Sequence, residues 1–265
     1  MKPNLILFYT HFFSAAVKRE LARLRAEIDS RYDIIAAGYC RVAGALDGID
    51  CVPVREYSAD ELTAMPYPGK VRQFDPQNYF GNADMVPMKL FLDEADYNYY
   101  WIIEYDVRFS GKWPDLFADL SSSRADLLCT TLQTWMENPH WAHWRTLATG
   151  GEDVSMERRV KGFMPFCRLS HGLLEACDAR YRKGWRGHTE VIWPTVASLA
   201  GLRLEDIGGD GNFTPAERRG RYYRNTPSEW SQFPGTFVYR PSFADRNLFG
   251  PQCHFTGTLW HPVKE

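Results

Sequence analysis

Short apolar runs alternate with amphipathic stretches along the first quarter of the chain. The run Leu5 to Tyr9 predicts a buried strand, and apolar residues then recur at helical spacing at positions 17, 21, 24 and 28. Two further apolar runs, at 32–37 and 51–54, predict the next strands. Strand, helix and strand in this order are typical of a parallel sheet, so the pattern predicts an α/β fold.

Later segments continue the same alternation. The pattern predicts helices over 59–65, 86–95, 112–120, 168–181 and 190–200, and strands over 99–104 and 125–130. Beyond residue 212 the composition shifts toward Arg, Tyr, Pro and Phe, with few regular periods. We therefore expect a single domain over 1–265, in which residues 212–265 form an irregular C-terminal wrap over the core.

Composition and charge narrow the classes of function. The net charge of −2, from 31 basic and 33 acidic residues, argues against a nucleic-acid binder, because contacts to phosphates need a basic excess. No apolar stretch approaches the roughly 18 residues of a transmembrane helix, which leaves only peripheral contact with a membrane open. The six cysteines form no CxxC pair, and residues 2–17 lack a signal-peptide cleavage site. We expect a cytoplasmic protein with reduced thiols.

Two carboxylates follow the most apolar predicted strand, which begins at Tyr99. Glu104 and Asp106 stand one residue apart at its carboxyl end, where open α/β sheets bind their ligands. Oxygen ligands of this kind suit Mg²⁺ or Mn²⁺ and leave positions open for diphosphate oxygens. A strand that merely passes into solvent with two charged residues would show the same pattern.

Four strings carry a resemblance to a known family: Trp101-Ile-Ile-Glu-Tyr-Asp-Val-Arg-Phe-Ser-Gly-Lys-Trp113, Gly187-His-Thr-Glu190, Gly235-Thr-Phe-Val-Tyr-Arg-Pro241 and His261-Pro-Val-Lys264. Together they resemble a group of GT-A glycosyltransferases, from about residue 95 to the end of the chain. The first quarter matches only in its order of elements. The resemblance implies a Rossmann-like, mostly parallel twisted sheet with helices on both faces.

The resemblance also implies roles for particular residues. Glu104-Tyr105-Asp106 is similar to the family's Asp-x-Asp motif, with Glu in place of the first Asp, so Asp106 is expected to make the stronger metal contact. A late histidine completes the metal site in many members, which suggests His261, with His254 as the alternative. Glu190 corresponds to the general base of inverting members. A glutamate that only stabilises the helix dipole would also stand there.

Other candidates come from the residues themselves. The glycine-rich loop at 208–211 can offer the N–H group of Gly209 to a phosphate, although a plain turn explains it equally. Lys264 can face a diphosphate, or it can be a solvated terminal lysine. Aromatic side chains at positions 135, 141 and 144 are either a surface on which an acceptor sugar stacks or part of the core.

The expected activity is transfer of a sugar from a nucleotide-diphosphate donor to a hydroxyl acceptor, such as a glycan or glycoconjugate, with Mn²⁺ or Mg²⁺ as cofactor. Two other functions fit the same residues. A metal-dependent phosphoesterase or nucleotidyltransferase would use the same acid pair. A non-catalytic carbohydrate-binding protein would keep the fold and bind sugar without nucleotide or metal.

Overall fold

A computed structural model describes residues 2–79, 81–94, 96–224, 235–245, 248 and 256–264. Seven strands in this part of the chain form the central sheet, in the order β10-β6-β8-β4-β1-β2-β3. Their bounds are β1 Lys2–Tyr9, β2 Tyr32–Tyr39, β3 Val54–Tyr57, β4 Tyr97–Glu104, β6 Leu127–Thr134, β8 Val160–Ser170 and β10 Leu204–Asp206. Every neighbouring pair is parallel except those made by β8, which runs antiparallel to β4 and β6.

Helices cover both faces of the sheet. Alternate residues of β1 point to opposite faces: Leu5 and Leu7 join one core cluster, whereas Ile6 and Phe8 join the other. The predicted α/β class, with a mostly parallel sheet between two layers of helices, is confirmed. The helices are α1 Ala15–Glu27, α2 Ala59–Thr63, α3 Pro68–Gln73, α4 Met85–Asp93, α5 Trp113–Leu120, α6 His171–Arg182 and α7 Thr189–Leu199.

Short pairs of strands complete the fold. β5 Arg108–Phe109 pairs with β12 Leu259–Trp260, β7 Ala148–Thr149 with β9 Trp185–Arg186, and β11 Phe243–Ala244 with β13 Val263–Lys264. The described parts of the segment after residue 212 therefore return to the end of β4, where β12 pairs with β5. The single-domain organisation of the whole chain stays a prediction. Within the described residues, no helix has both the length and the apolar character needed to cross a bilayer.

The strand β8 is the main difference from the sequence-based expectation. The predicted helix over 168–181 is wrong at its start, because residues 168–170 end β8 and α6 begins at His171. Gly162 and Pro165 interrupt the apolar pattern of β8 and hid it, since proline is rare inside a central strand. The register of β8 against β6 shifts twice, which is how the sheet accommodates these residues.

The direction of the strands decides where the site lies. β4, β6 and β10 are parallel, so their carboxyl ends meet at one edge of the sheet. The antiparallel β8 begins at that same edge, with Val160 and Lys161. Residues that follow β4 and residues that open β8 are therefore brought together at one edge.

Candidate active site

Glu104, Asp106 and His261 meet at the carboxyl end of β4. The Nε2 atom of His261 lies 3.4 Å from Asp106 Oδ1 and 3.7 Å from Glu104 Oε2. One potential ligand atom from each of the three residues lies within 4.8 Å of the other two. Ligands on opposite sides of an octahedral Mg²⁺ lie about 4.2 Å apart, from its bond length of about 2.1 Å, so this spacing suits one cation.

The C-terminal segment brings His261 to the strand end. β12 pairs with β5, which begins two residues after Asp106. The N–H of Val263 donates to the carbonyl of Asp106 at 2.8 Å. The N–H of His261 donates to Thr236 O at 3.0 Å. Backbone hydrogen bonds on both sides thus hold the imidazole against the acid pair, although more than 150 residues of chain separate them.

The atoms of this cluster fit a divalent cation. His261 Nδ1 lies 2.8 Å from the carbonyl of Val238, which makes Nδ1 a hydrogen-bond donor and turns Nε2 toward the carboxylates. Asp106 Oδ1 is buried and has no hydrogen-bond partner among the described residues. A buried, unsatisfied carboxylate oxygen beside Nε2 of a histidine is a donor set that Mn²⁺ or Mg²⁺ would use once it displaces the proton from Nε2.

Electrostatics also favour a cation here. Burial lowers the pKa of His261, but the neighbouring Asp106 and Glu104 outweigh burial and raise that pKa to about 9. Burial raises the pKa of Asp106, but His261 and Lys264 outweigh it and lower that pKa to about 2. The two carboxylates therefore attract positive charge strongly, whether it is a proton on His261 or a metal ion.

Lys264 stands beside the same acid pair. Its Nζ lies 2.5 Å from Asp106 Oδ2 and 2.8 Å from the hydroxyl of Tyr105, and the side chain is 45% exposed. Asp106 is thus divided between two neighbours, with Oδ2 toward Lys264 and Oδ1 toward His261. The exposed half of the lysine adds positive charge at the rim of the site, where an anionic ligand would be attracted.

Glu190 opens helix α7 within electrostatic reach of this cluster. The helix is capped by His188, whose Nδ1 accepts from the N–H of Glu190 at 3.3 Å. Burial raises the pKa of Glu190 to about 8, and the charge of Glu104 adds to this, whereas Lys161 and His261 oppose it. A carboxylate with a pKa near the working pH is suited to general-base catalysis.

Lys161, near the start of β8, is a site residue that sequence reasoning missed. Its side chain is 7% exposed, and its Nζ lies 5.4 Å from the centre of the Trp141 ring. Burial lowers the pKa of Lys161, while the charge of Glu190 raises it. In the sequence, a lysine between apolar residues could have indicated this burial, but the pattern does not predict a strand here.

The turn before Glu190 is held by a second buried lysine, Lys70. Lys70 Nζ lies 2.9 Å from Asp84 Oδ1 and donates to the carbonyl of Gly187 at 3.0 Å, and both charged side chains are fully buried. The hydroxyl of Tyr181 donates to the other oxygen of Asp84. The N–H of Asp84 donates to Thr189 Oγ1 at 3.2 Å. This network fixes the position from which α7 begins.

The remaining candidates lie elsewhere. The N–H of Gly209 donates to Asp206 Oδ1 at 2.8 Å, so it is already bound within the protein, and its phosphate-binding role stays a prediction. Trp144 is buried and belongs to the core, whereas Trp141 is partly exposed and lies near Lys161. The alternative metal ligand, His254, lies outside the described residues.

Comparison with known proteins gives structural similarity only. No protein-family model and no curated protein matches the chain. The galactosyltransferase LgtC, solved with donor and acceptor sugar analogues, is similar over 76% of this chain and 73% of its own, at 11% identity and a TM-score of 0.42. A putative glucose-1-phosphate thymidylyltransferase from Bacillus anthracis is similar over 77% and 85%, at 10% identity and a TM-score of 0.42.

A third similar structure is the mannosyltransferase PcManGT from Pyrobaculum calidifontis in complex with GDP-Man and Mn²⁺. It is similar over 80% of this chain and 54% of its own, at 12% identity and a TM-score of 0.40. All three similarities are weak in sequence and partial in backbone. The reaction therefore has to be inferred from the side chains of the site.

Proposed function

We propose that this chain is a metal-dependent glycosyltransferase, which moves a sugar from a nucleotide-diphosphate donor to a hydroxyl group of an acceptor. The carrying observation is the Glu104–Asp106–His261 cluster at the carboxyl edge of a mostly parallel sheet, with Glu190 in electrostatic reach. A cation site and a separate carboxylate of raised pKa are the two groups that such a transfer needs.

Glu104, Asp106 and His261 would hold Mn²⁺ or Mg²⁺, which supplies charge neutralisation for a leaving diphosphate when it is bound. Lys264 adds a second positive charge at the rim and attracts the donor's phosphates. The carbonyl of Val238 keeps Nε2 of His261 turned toward the carboxylates. These residues bind and orient the diphosphate.

Glu190 takes the proton of the acceptor hydroxyl. The hydroxyl oxygen then bonds to the anomeric carbon as the bond between that carbon and the diphosphate oxygen breaks, and the nucleoside diphosphate leaves with the electron pair. Attack from the side of Glu190, opposite the leaving group, implies inversion at the anomeric carbon. A phosphoesterase or nucleotidyltransferase would use the same cation site but would break a bond at phosphorus.

The test is binding of uridine and guanosine diphosphate, with and without Mn²⁺, measured by thermal shift on the wild-type protein and Asp106→Ala. A ligand that binds only the native state raises the melting temperature, so a Mn²⁺-dependent shift is expected for wild type and its loss for the variant. His261→Ala should weaken Mn²⁺ more than metal-free nucleotide. Equal metal-dependent shifts in wild type and Asp106→Ala would exclude the proposed cation site.

A further inference from the structure

The side chain of Lys161 is largely buried, and its ammonium has no hydrogen-bond acceptor among the described residues. The described residues offer it the face of Trp141, 5.4 Å away, but none of them accepts a hydrogen bond from Nζ or forms a close ion pair with it. The residue as a whole is only 7% exposed, and burial lowers the pKa of Lys161, so its ammonium is poorly hydrated for a charge without a protein partner. Its position is therefore not explained by the stability of the fold.

The nearest acidic groups do not supply the missing partner. Asp206 is saturated, because it accepts from the N–H groups of Leu132, Gly208 and Gly209 and from the hydroxyl of Tyr223. Glu190 acts on Lys161 through its charge alone, with no direct ion pair between the two in the described part of the chain. The ammonium and the carboxylate are therefore not in direct contact.

Glu190 interacts electrostatically with two groups of charges. Glu104 and His261 belong to the cation site. Lys161 lies near the start of β8, at the same edge of the sheet, beside the ring of Trp141. With the donor's diphosphate at the cation site, Lys161 and the face of Trp141 remain for the acceptor.

We propose that the acceptor is acidic, with a carboxylate or phosphate a few bonds from its reactive hydroxyl, and that Lys161 binds this oxyanion against the face of Trp141. The assignment of this anion to the acceptor rests on the proposed function, but the anion site itself does not. An oxyanion that accepts a hydrogen bond from Lys161 Nζ would give the ammonium the ion pair that the described residues do not supply. It also brings the neighbouring hydroxyl toward Glu190.

The experiment titrates inorganic phosphate, acetate and glycerol into metal-free protein by calorimetry. Phosphate or acetate should bind the wild type saturably, glycerol should not, and Lys161→Met should weaken the anion at least tenfold. Lys161→Arg should restore it, because arginine also pairs with oxyanions. Lys264→Met should keep this binding event, which separates the site from the other lysine. Equal affinities in wild type and Lys161→Met, or no saturable binding, would overturn the proposal.

A second arm identifies the source of the anion. Uridine and guanosine diphosphate with Mn²⁺ should bind Lys161→Met as tightly as wild type if Lys161 serves the acceptor. Loss of nucleotide binding in that variant would mean that Lys161 binds the donor's phosphates, and it would overturn the assignment of Lys161 to the acceptor. Should no nucleotide bind even the wild type, the proposed function fails, while the phosphate titration still decides whether the anion site exists.

Discussion

Two buried lysines, Lys70 and Lys161, flank the start of α7 and differ in their partners. Lys70 is fully buried and has both an ion pair with Asp84 and a hydrogen bond to the carbonyl of Gly187. Lys161 is almost as buried but has only an aromatic face beside it among the described residues. Burial lowers the pKa of both.

The difference separates structure from function. A buried charge whose partners are all present holds the backbone in one arrangement, as Lys70 holds the turn at Gly187. A buried charge without partners costs stability and is explained by what it binds. The same side chain at similar depth thus serves opposite purposes, and the substitutions below test that contrast.

The largest effect is expected for Lys70→Met. Removing one member of a buried pair leaves the other charge uncompensated, which typically costs about 3–5 kcal/mol. The free energy of unfolding, measured by urea denaturation at pH 7, should fall by that amount because Asp84 remains buried without its cation.

The matched control is the double variant Lys70→Met with Asp84→Asn. Without either charge, the site no longer contains an isolated carboxylate, so the double variant should be more stable than Lys70→Met alone. A single variant within about 1 kcal/mol of wild type would break the contrast, because Lys70 would then be no more structural than Lys161.

The acidic neighbours of the two lysines, Glu190 near Lys161 and Asp84 beside Lys70, should also differ, with one affecting turnover and the other stability. Glu190→Gln should lower kcat a hundredfold or more, which corresponds to about 2.7 kcal/mol of activation free energy, and change the unfolding free energy little. The pKa of Glu190 is about 8, so at pH 7 the native carboxyl is mostly protonated. Glutamine resembles the protonated form, so the substitution should disturb the fold little. Asp84→Asn should instead lower stability. Retained turnover in Glu190→Gln would exclude it as the base.

The sequence predicted one half of this site and not the other. The acid pair could be predicted from the sequence because a long apolar strand ends at Glu104, and the hydrophobic pattern reveals such strands. His261 and Glu190 came from resemblance to a family and not from spacing. Lys161 was missed because Gly162 and Pro165 broke the pattern of β8, so its burial could not be foreseen.

The Lys70 network was beyond sequence reasoning for a different reason. Lys70 lies on α3, Asp84 directly before α4 and Tyr181 on α6, and only the packing of these helices brings them together. Each of them looks like an ordinary surface or cap residue when the chain is considered alone. Pairings between distant elements carry no local pattern, whereas the parallel sheet and its carboxyl edge do.

Lys161→Met should leave stability at pH 7 unchanged or raise it by up to about 1 kcal/mol, in contrast to Lys70→Met. A lysine whose native pKa is lowered costs stability while it is charged, below that pKa. The cost disappears as the pH rises toward the ordinary value of 10.5, so any gain in the variant should shrink toward that pH. Urea denaturation at pH 7 and 10 measures this, with the exposed Lys183→Met as control. A loss above about 2 kcal/mol would make Lys161 structural.

The smallest expected effect is on the pH dependence of kcat. Glu190 must be ionised to accept a proton, so kcat should rise with pH through the titration of this group. Because the charge of Lys161 lowers the pKa of Glu190, Lys161→Met should move this rise to higher pH and reduce kcat severalfold at pH 7. Profiles from pH 6 to 9.5 at the same saturating Mn²⁺ measure the displacement.

The two roles of Lys161 separate in these profiles. The effect on Glu190 disappears above the titration, where the kcat of Lys161→Met should approach that of wild type. An effect on binding an acidic acceptor persists as a raised KM at every pH, and Lys161→Arg should reverse both. If the rise in kcat stays where it is in wild type while KM increases, Lys161 acts on the acceptor alone. If the rise moves and KM is unchanged, Lys161 only tunes the base and the acidic acceptor is excluded.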